Sequence, residues 1–117
     1  MFNKNKKLTK KFWGTIELLG QGDYYRVDKI TIFPSKGDKI HMQPSIKHTC
    51  YVVEGVGQVT VGPRDHILQT ADIKAGDEFI VNQDWLHRYK NAGKKDLVII
   101  QCSYGKFDLD ELVNSRK

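Results

Sequence analysis

Apolar and polar residues alternate along short runs of this chain, and turn residues separate the runs. The alternation is clear at 28–33 and at 57–61, and a period of two is typical of a strand with one buried face. Residues 51–53 and 97–100 are apolar throughout, as central strands tend to be. The pattern predicts strands at 25–33, 40–43, 50–54, 58–61, 66–70, 78–81, 87–91 and 97–103. About eight short antiparallel strands in one domain indicate a jelly roll or a small barrel.

The chain is 117 residues long, which suits one domain rather than two. We expect a basic, flexible arm at residues 1–11, a barrel at 12–105 and a short C-terminal helix or tail at 106–117. The net charge of +5 is concentrated in the arm, because five lysines precede the first acid and the rest of the chain carries 14 basic and 14 acidic residues. Such an arm is typical of a solvated, partly disordered segment. Only Phe2 lies among its lysines, so we predict no nucleic-acid partner.

Two further classes of protein are disfavoured by composition. No apolar run reaches about 18 residues, so no membrane span is predicted. No apolar segment follows the N-terminal charges, so no secretory signal is predicted. Cys50 and Cys102 both lie in apolar, strand-like runs, which favours buried thiols in a reducing, cytoplasmic setting. A disulfide between them stays open, because adjacent strands could bring them close.

Three of the four histidines fall on one spacing. His41, Gln43 and His48 read H-x-Q-x₄-H, and His87 follows on a later predicted strand, while His66 lies outside the pattern. Alternate residues of a barrel strand face the interior, so the side chains of His41, Gln43, His48 and His87 can meet there. Imidazole suits zinc, copper, iron and nickel, and a neutral amide oxygen can fill a further position. The alternative is a metal-free pocket in which the histidines only make structural hydrogen bonds.

This spacing resembles the two motifs of the cupin superfamily. The first, G-x₅-H-x-H-x₄-E-x₆-G, is represented by His41, Gln43, His48 and Gly55. The second, G-x₅-P-x-G-x₂-H-x₃-N, is represented by Gly76, His87 and Asn91, with Asn82 and Asp84 at the usual proline and glycine positions. The resemblance implies an all-β, single-domain cupin jelly roll, also called a double-stranded β-helix barrel.

The likeness extends to the cupin domain of type II mannose-6-phosphate isomerases, which also occurs fused to mannose-1-phosphate guanylyltransferases. It covers about residues 11–114 and is carried by 11–14, 25–31, 51–55, 87–91, 100–105 and 110–113. The family's counterparts of five of these stretches read R-P-W-G, V-V-V-S-G, H-R-L-E-N, I-E-V-Q-x-G and D-D-I-V. The resemblance implies a sugar-phosphate isomerase with a divalent ion (Zn, Fe, Mn or Ni) bound by His41, Gln43, His48 and His87.

The chain departs from that family at its first site, which normally reads Q-x-H-H-H-R-x-E-H-W. Here the glutamine and a histidine have exchanged places, His48 replaces the glutamate, Ile46 replaces the arginine and Cys50 replaces the tryptophan. Near the C-terminus, Asn114 replaces a second arginine. Two side chains that could handle phosphate or polarise a carbonyl are therefore absent. The remaining candidates for charge or proton donation are Lys47, Tyr51 and Arg88.

Three functions follow as hypotheses. The first is a metal-dependent, sugar-phosphate isomerase-like enzyme with a small-molecule substrate. The second is a three-histidine metal cupin with dioxygenase or lyase chemistry, and the third is a non-catalytic module that binds a sugar or metabolite. The fold alone does not choose among them. Exposed sheet edges also predict a homodimer.

Overall fold

Nine β-strands make up the part of the chain that the computed structural model describes, residues 7–106. They are β1 (Leu8–Lys11), β2 (Gly14–Gln21), β3 (Tyr25–Ile32), β4 (Lys47–Glu54), β5 (Val56–Pro63), β6 (Gln69–Lys74), β7 (Glu78–Val81), β8 (Trp85–Asn91) and β9 (Leu97–Tyr104). A six-stranded sheet has the order β1-β2-β3-β9-β4-β7 and a three-stranded sheet has the order β6-β5-β8. All pairings are antiparallel. The predicted all-β jelly roll is confirmed, while the predicted C-terminal helix lies outside the described residues.

Several strand boundaries differ from the predicted ones. The first strand, β1, begins at Leu8 and pairs with β2, four residues before the barrel was expected to start at residue 12. The strand predicted at 66–70 is instead β6, and His66 lies in the preceding turn, where its N–H donates to the Pro63 carbonyl at 3.2 Å. Five of the six β6 residues are exposed. The sequence of this strand therefore lacks the alternation of apolar and polar residues that marks one buried face.

The strand predicted at 40–43 is reduced to one isolated bridge between His41 and His87. The reason lies in the residues that follow. Pro44 has no N–H to give to a ladder, and Ser45 turns the chain with a φ of 61°. His41 is therefore held by a single pair of backbone hydrogen bonds, of 3.0 and 2.8 Å to His87.

The inward face of the six-stranded sheet has a polar half and an apolar half. Its strand register places inward polar residues opposite one another, and inward apolar residues opposite one another. The apolar half contains Ile30, Ile32, Val52, Leu97 and Ile99, each at most 2% exposed. The polar half contains Arg26, Asp28, His48, Cys50, Gln101 and Ser103. Arg26 Nε donates to both Asp28 carboxylate oxygens, at 3.0 and 2.9 Å, so this buried ion pair belongs to the polar half.

Asn91 joins the two sheets at the apolar end. It ends β8 and is 1% exposed. Its side-chain Nδ2 donates to the carbonyl of Ile32 at 2.8 Å and to that of Lys95 at 2.7 Å, and its Oδ1 accepts from the N–H of Gly93 at 2.8 Å. Because Ile32 ends β3 of the other sheet, this side chain connects the two sheets as well as closing its own turn.

Gly14 lets β2 approach β3 closely. A Cβ at this position would lie 1.8 Å from the carbonyl oxygen of Thr31, which no side chain can tolerate. The neighbouring Trp13 is 7% exposed and packs into the hydrophobic core. The glycine is therefore required by a backbone contact directly beside this core tryptophan.

Cys50 and Cys102 are not joined in a disulfide. Cys102 pairs with Thr49, the neighbour of Cys50 on β4. Since successive strand residues face opposite sides of a sheet, the two thiols lie on opposite faces. Residues 7–106 contain no helix long and apolar enough to cross a membrane.

Candidate functional site

Three predicted ligands come together: the buried His48 and His87 and the half-buried His41. His48 on β4 and His87 on β8 are each 1% exposed, and their ring centroids are 5.0 Å apart. The ring of His41 lies 4.2 Å from that of His87. His66 is exposed in the turn between β5 and β6 and takes no part in this group.

The loops leading to His48 and His87 are tied to one another. Ser45 precedes β4 and Asp84 precedes β8, and both residues have positive φ, 61° and 64°. The Ser45 N–H donates to Asp84 Oδ1 at 2.7 Å. Asp84 stands where the motif usually has glycine, and aspartate is among the few non-glycine residues that adopt this conformation readily. The carboxylate thus adds a contact between the loops that a glycine would not make.

Hydrogen bonds orient two of the imidazoles. His41 Nδ1 lies 2.7 Å from the Lys39 carbonyl oxygen, which can only accept, so Nδ1 carries the hydrogen and the neutral ring has its lone pair on Nε2. His48 Nδ1 lies 2.7 Å from Ser103 Oγ, a hydroxyl that can accept from Nδ1 or donate to it, so this contact orients the ring in either tautomer. Outer hydrogen bonds of this kind fix the tautomer and orientation of metal-ligating histidines.

The donor set fits a divalent first-row ion in its chemistry. Three neutral imidazoles suit Zn, Fe or Ni better than Mg or Ca. Gln43 is 6% exposed and lies in the loop between His41 and β4. Within residues 7–106, however, no group of three or more His, Cys, Asp or Glu side chains is arranged so that it could hold a metal ion. Ion binding therefore requires the imidazole rings to turn toward a common point.

A cavity of about 150 Å³ lies beside the histidines and shares His41 with them. One part of its lining is apolar: Phe12, Trp13, Ile16 and Ile30. Another part is polar: Asp38, His41, Tyr89 and Gln101. Lys11 and Lys39 complete the lining. Lys39 and Phe12 are exposed, so they form the rim of the cavity.

The polar side chains of this cavity are linked to one another. The Tyr89 hydroxyl donates to Gln101 Oε1, and Cys50 Sγ lies 3.3 Å from the same hydroxyl. The Tyr89 N–H donates to Asp38 Oδ1 at 2.7 Å, while Asp38 Oδ2 lies 3.9 Å from His41 Nδ1. Tyr89 thus anchors both Asp38 and Gln101 beside the histidine group.

The three catalytic candidates from sequence are not brought into the cavity. Lys47 and Tyr51 alternate with the inward residues of β4 and are exposed, Tyr51 at 49%. Arg88 lies between two buried residues of β8, His87 and Tyr89, so it faces the other side of its sheet. The alternation of strand residues places all three away from the histidines.

Two cavity residues were not singled out by sequence analysis, Asp38 and Gln101. Asp38 belongs to a stretch interpreted only as a turn, yet it is 7% exposed. Gln101 follows the apolar run 97–100, where no alternation shows which face is buried. A polar glutamine directly after so apolar a run was the one sequence feature that could have drawn attention to this position. Only the register of β9 with β3 and β4 shows that Gln101 faces the barrel interior.

Comparisons with known proteins agree with this architecture. The chain matches the family model described as "Mannose-6-phosphate isomerase C-terminal" over residues 2–114. No curated protein sequence matches it.

Three solved structures illustrate the shared fold. The oxalate decarboxylase formate complex of Lactobacillus farciminis has a TM-score of 0.78 and 18% identity, over 93% of this chain and 35% of that chain. The capsular polysaccharide assembling protein CapF of Staphylococcus aureus has a TM-score of 0.80 and 17% identity, over 93% of this chain and 33% of that chain. The oxalate decarboxylase of Bacillus subtilis, studied for its Mn(II) centres, has a TM-score of 0.77 and 19% identity, over 87% of this chain and 28% of that chain. This chain thus spans between 28% and 35% of the length of each of them. At these identities the likeness concerns the fold. With its nearly full-length family match, the chain belongs to the mannose-6-phosphate isomerase C-terminal family, a family of cupins.

Proposed function

We propose that this domain is a metal-dependent isomerase that acts on a phosphorylated sugar. The observation that carries the proposal is the convergence of three histidines beside a small cavity lined by one carboxylate and two lysines. The family description, which names mannose-6-phosphate isomerase, supports the substrate class. The Mn(II) centres of a fold neighbour, the Bacillus subtilis oxalate decarboxylase, support the use of a divalent ion.

His41, Gln43, His48 and His87 would hold the ion, which is Zn, Fe, Mn or Ni. When bound, such an ion polarises a carbonyl or hydroxyl oxygen of the sugar. Four neutral ligands leave the full charge of the ion to act on that oxygen, and they hold it less tightly than a set with a carboxylate. The proposal therefore includes a metal that a chelator removes readily.

Asp38 is the proposed general base. Its carboxylate lines the cavity, and its Oδ1 is anchored by the Tyr89 N–H at 2.7 Å. In an aldose–ketose interconversion, a base takes a proton from the hydroxyl-bearing carbon beside the carbonyl and returns it to the former carbonyl carbon, while the hydroxyl proton passes to the former carbonyl oxygen. Asp38 Oδ2 lies 3.9 Å from His41 Nδ1, on the side of the carboxylate that faces the histidine group. It is the oxygen proposed to carry this proton.

Lys11 and Lys39 are the proposed phosphate ligands. Both line the cavity, and they would supply the positive charge that the family arginines supply elsewhere, at the positions of Ile46 and Asn114. Lysine binds phosphate as a compact point charge. We expect Lys11 and Lys39 to lower the KM for a phosphorylated sugar without contributing to the proton transfer.

The metal set is tested by elemental analysis of protein purified without a histidine tag and loaded with each of the four ions. We expect near-stoichiometric metal in the wild type and loss of it in His41→Ala and His87→Ala. The matched control is His66→Ala, which removes an exposed histidine from a turn and should leave the metal content unchanged. Equal metal content in all variants would contradict the predicted ligand set.

Catalysis is tested by following the interconversion of mannose 6-phosphate and fructose 6-phosphate. Asp38→Asn should keep its metal and lower kcat by roughly 10²–10⁴-fold, the usual contribution of a positioned general base. Lys39→Ala should raise KM with little change in kcat, whereas Lys94→Ala, on an exposed loop, should change neither. Metal-loaded wild type that never exceeds the blank refutes the isomerase.

The same protein distinguishes the competing functions. The absence of a carboxylate among the four predicted ligands favours three-histidine oxygenase or lyase chemistry as the second candidate. Oxygen uptake that depends on Fe(II), in protein inactive on both hexose phosphates, would support that candidate. Metal-free protein that still binds a sugar phosphate but never turns it over would instead support a non-catalytic binding function.

A further inference from the structure

Gln101 holds a buried hydrogen-bond donor at the cavity. The residue is 1% exposed and belongs to the cavity lining. Its Oε1 accepts from the Tyr89 hydroxyl, but its Nε2 has no hydrogen-bond partner among the described residues. A buried amide left in this state costs about 1–3 kcal/mol, and most buried polar groups in proteins have a partner. None of the residues 7–106 supplies that partner.

The surrounding hydrogen bonds determine which end of the amide is left over. The Tyr89 hydroxyl lies between Gln101 and Cys50 Sγ, the latter at 3.3 Å. A carbonyl oxygen is a strong acceptor and a thiol sulfur is a weak one. The phenolic hydrogen therefore goes to Oε1, and the NH₂ group of Gln101 is the end that remains to meet a ligand.

The walls of the cavity define the class of that ligand. Trp13 and Ile16 offer apolar surface, while Asp38 and Gln101 offer polar groups. A volume of about 150 Å³ is small beside the roughly 300–1,000 Å³ of pockets for drug-sized ligands. A single polyhydroxylated ring suits both properties, because it presents C–H groups on one face and oxygens around its edge.

We infer that Gln101 Nε2 donates a hydrogen bond to one oxygen of a hexose-type ligand and thereby selects which oxygens face the histidines. Gln101 is then a specificity-determining residue, and Tyr89 is the positioning residue that orients it. The inference rests on the proposed function, since it concerns the same cavity. It concerns ligand contact, however, and can be tested without metal or turnover.

The direct test is a titration of the metal-free, ¹⁵N-labelled full chain observed by NMR. The probes are mannose 6-phosphate, fructose 6-phosphate and mannose. The side-chain NH₂ signals of Gln101 are assigned by their loss in Gln101→Met, and we expect them to shift with the same midpoint as the backbone amide of Lys39. The control is the side chain of Gln58, which already donates to Asp72 at the exposed surface and should not move.

The matched variant test measures the Kd for mannose 6-phosphate. Gln101→Met changes neither the charge nor, to any large extent, the side-chain volume, and we expect it to weaken binding about tenfold, the equivalent of about 1.4 kcal/mol for one lost hydrogen bond. Gln58→Met should bind as the wild type does. The wild-type titration keeps the inference testable even if Gln101→Met folds poorly.

The outcomes separate this inference from the proposed function. A shift of the Gln101 NH₂ signals in protein without isomerase activity supports the inference and refutes the isomerase. Isomerase activity with stationary Gln101 signals does the reverse. If none of the three sugars moves these signals, or if folded Gln101→Met binds as tightly as the wild type, the inference is wrong.

Discussion

Asn91→Ala should destabilise the fold strongly without altering the candidate site. The change removes three side-chain hydrogen bonds, to Ile32, Gly93 and Lys95. At roughly 0.5–1.5 kcal/mol net for each, the loss comes to about 3 kcal/mol. For a domain of this size that corresponds to roughly 10–15 °C in Tm.

Urea denaturation followed by tryptophan fluorescence measures this change, because Trp13 is in the core. The matched control is Asn82→Ala, which removes an exposed asparagine from the turn before β8 and should shift the free energy of unfolding by less than about 0.5 kcal/mol. Metal content and activity, measured well below the lowered Tm, should match the wild type in both variants. A loss below about 1 kcal/mol for Asn91→Ala would refute the view that this side chain connects the sheets.

Three further changes test single features of the fold. Gly14→Ala should cost more than about 2 kcal/mol in urea denaturation, because its Cβ would meet a backbone carbonyl, whereas Gly20→Ala, with nothing within 4 Å, should be nearly neutral; equal costs would contradict the close approach. Asp84→Ala should lower stability by about 1–2 kcal/mol, since alanine at positive φ is strained and the loop contact is lost, and Asp84→Gly should recover part of it; a neutral alanine variant would show that the contact is unimportant. In native protein, a thiol reagent should modify the half-buried Cys102 and leave the buried Cys50 unreacted until unfolding; rapid modification of both would place Cys50 at the surface.

The sequence predicted the fold well where alternation and turn residues coincided. The histidine motif was informative because barrel strands place alternate residues inside, so His48 and His87 could be assigned to the interior from spacing alone. Strand β6 was misplaced because exposure on both faces leaves no alternation. Strand β1 was missed because a lysine-rich stretch can pair along a sheet edge through its backbone, a property that side-chain pattern does not report.

The cavity was harder to predict than the histidines. Asp38 is buried because the Tyr89 N–H pairs with its carboxylate, a contact between residues 51 positions apart. Gln101 faces the interior because of its register with Cys50 and Asp28. Both facts depend on which strands become neighbours, and a single sequence fixes local periodicity more firmly than long-range pairing. The exclusion of Tyr51 follows from the same alternation once β4 has a known register.

The division of the barrel interior into two halves bears on how this protein can evolve. Truncating a buried side chain such as Ile99 or Leu97 in the apolar half typically costs about 2–5 kcal/mol, a large share of the stability of a small domain. His48 and Gln101, in the polar half, lie in strand rows separate from those of Ile99 and Leu97. Changes at the candidate ligand positions therefore need not disturb the rows that carry the apolar packing. A lineage with this barrel can exchange one donor set for another while selection for folding acts mainly on the opposite half.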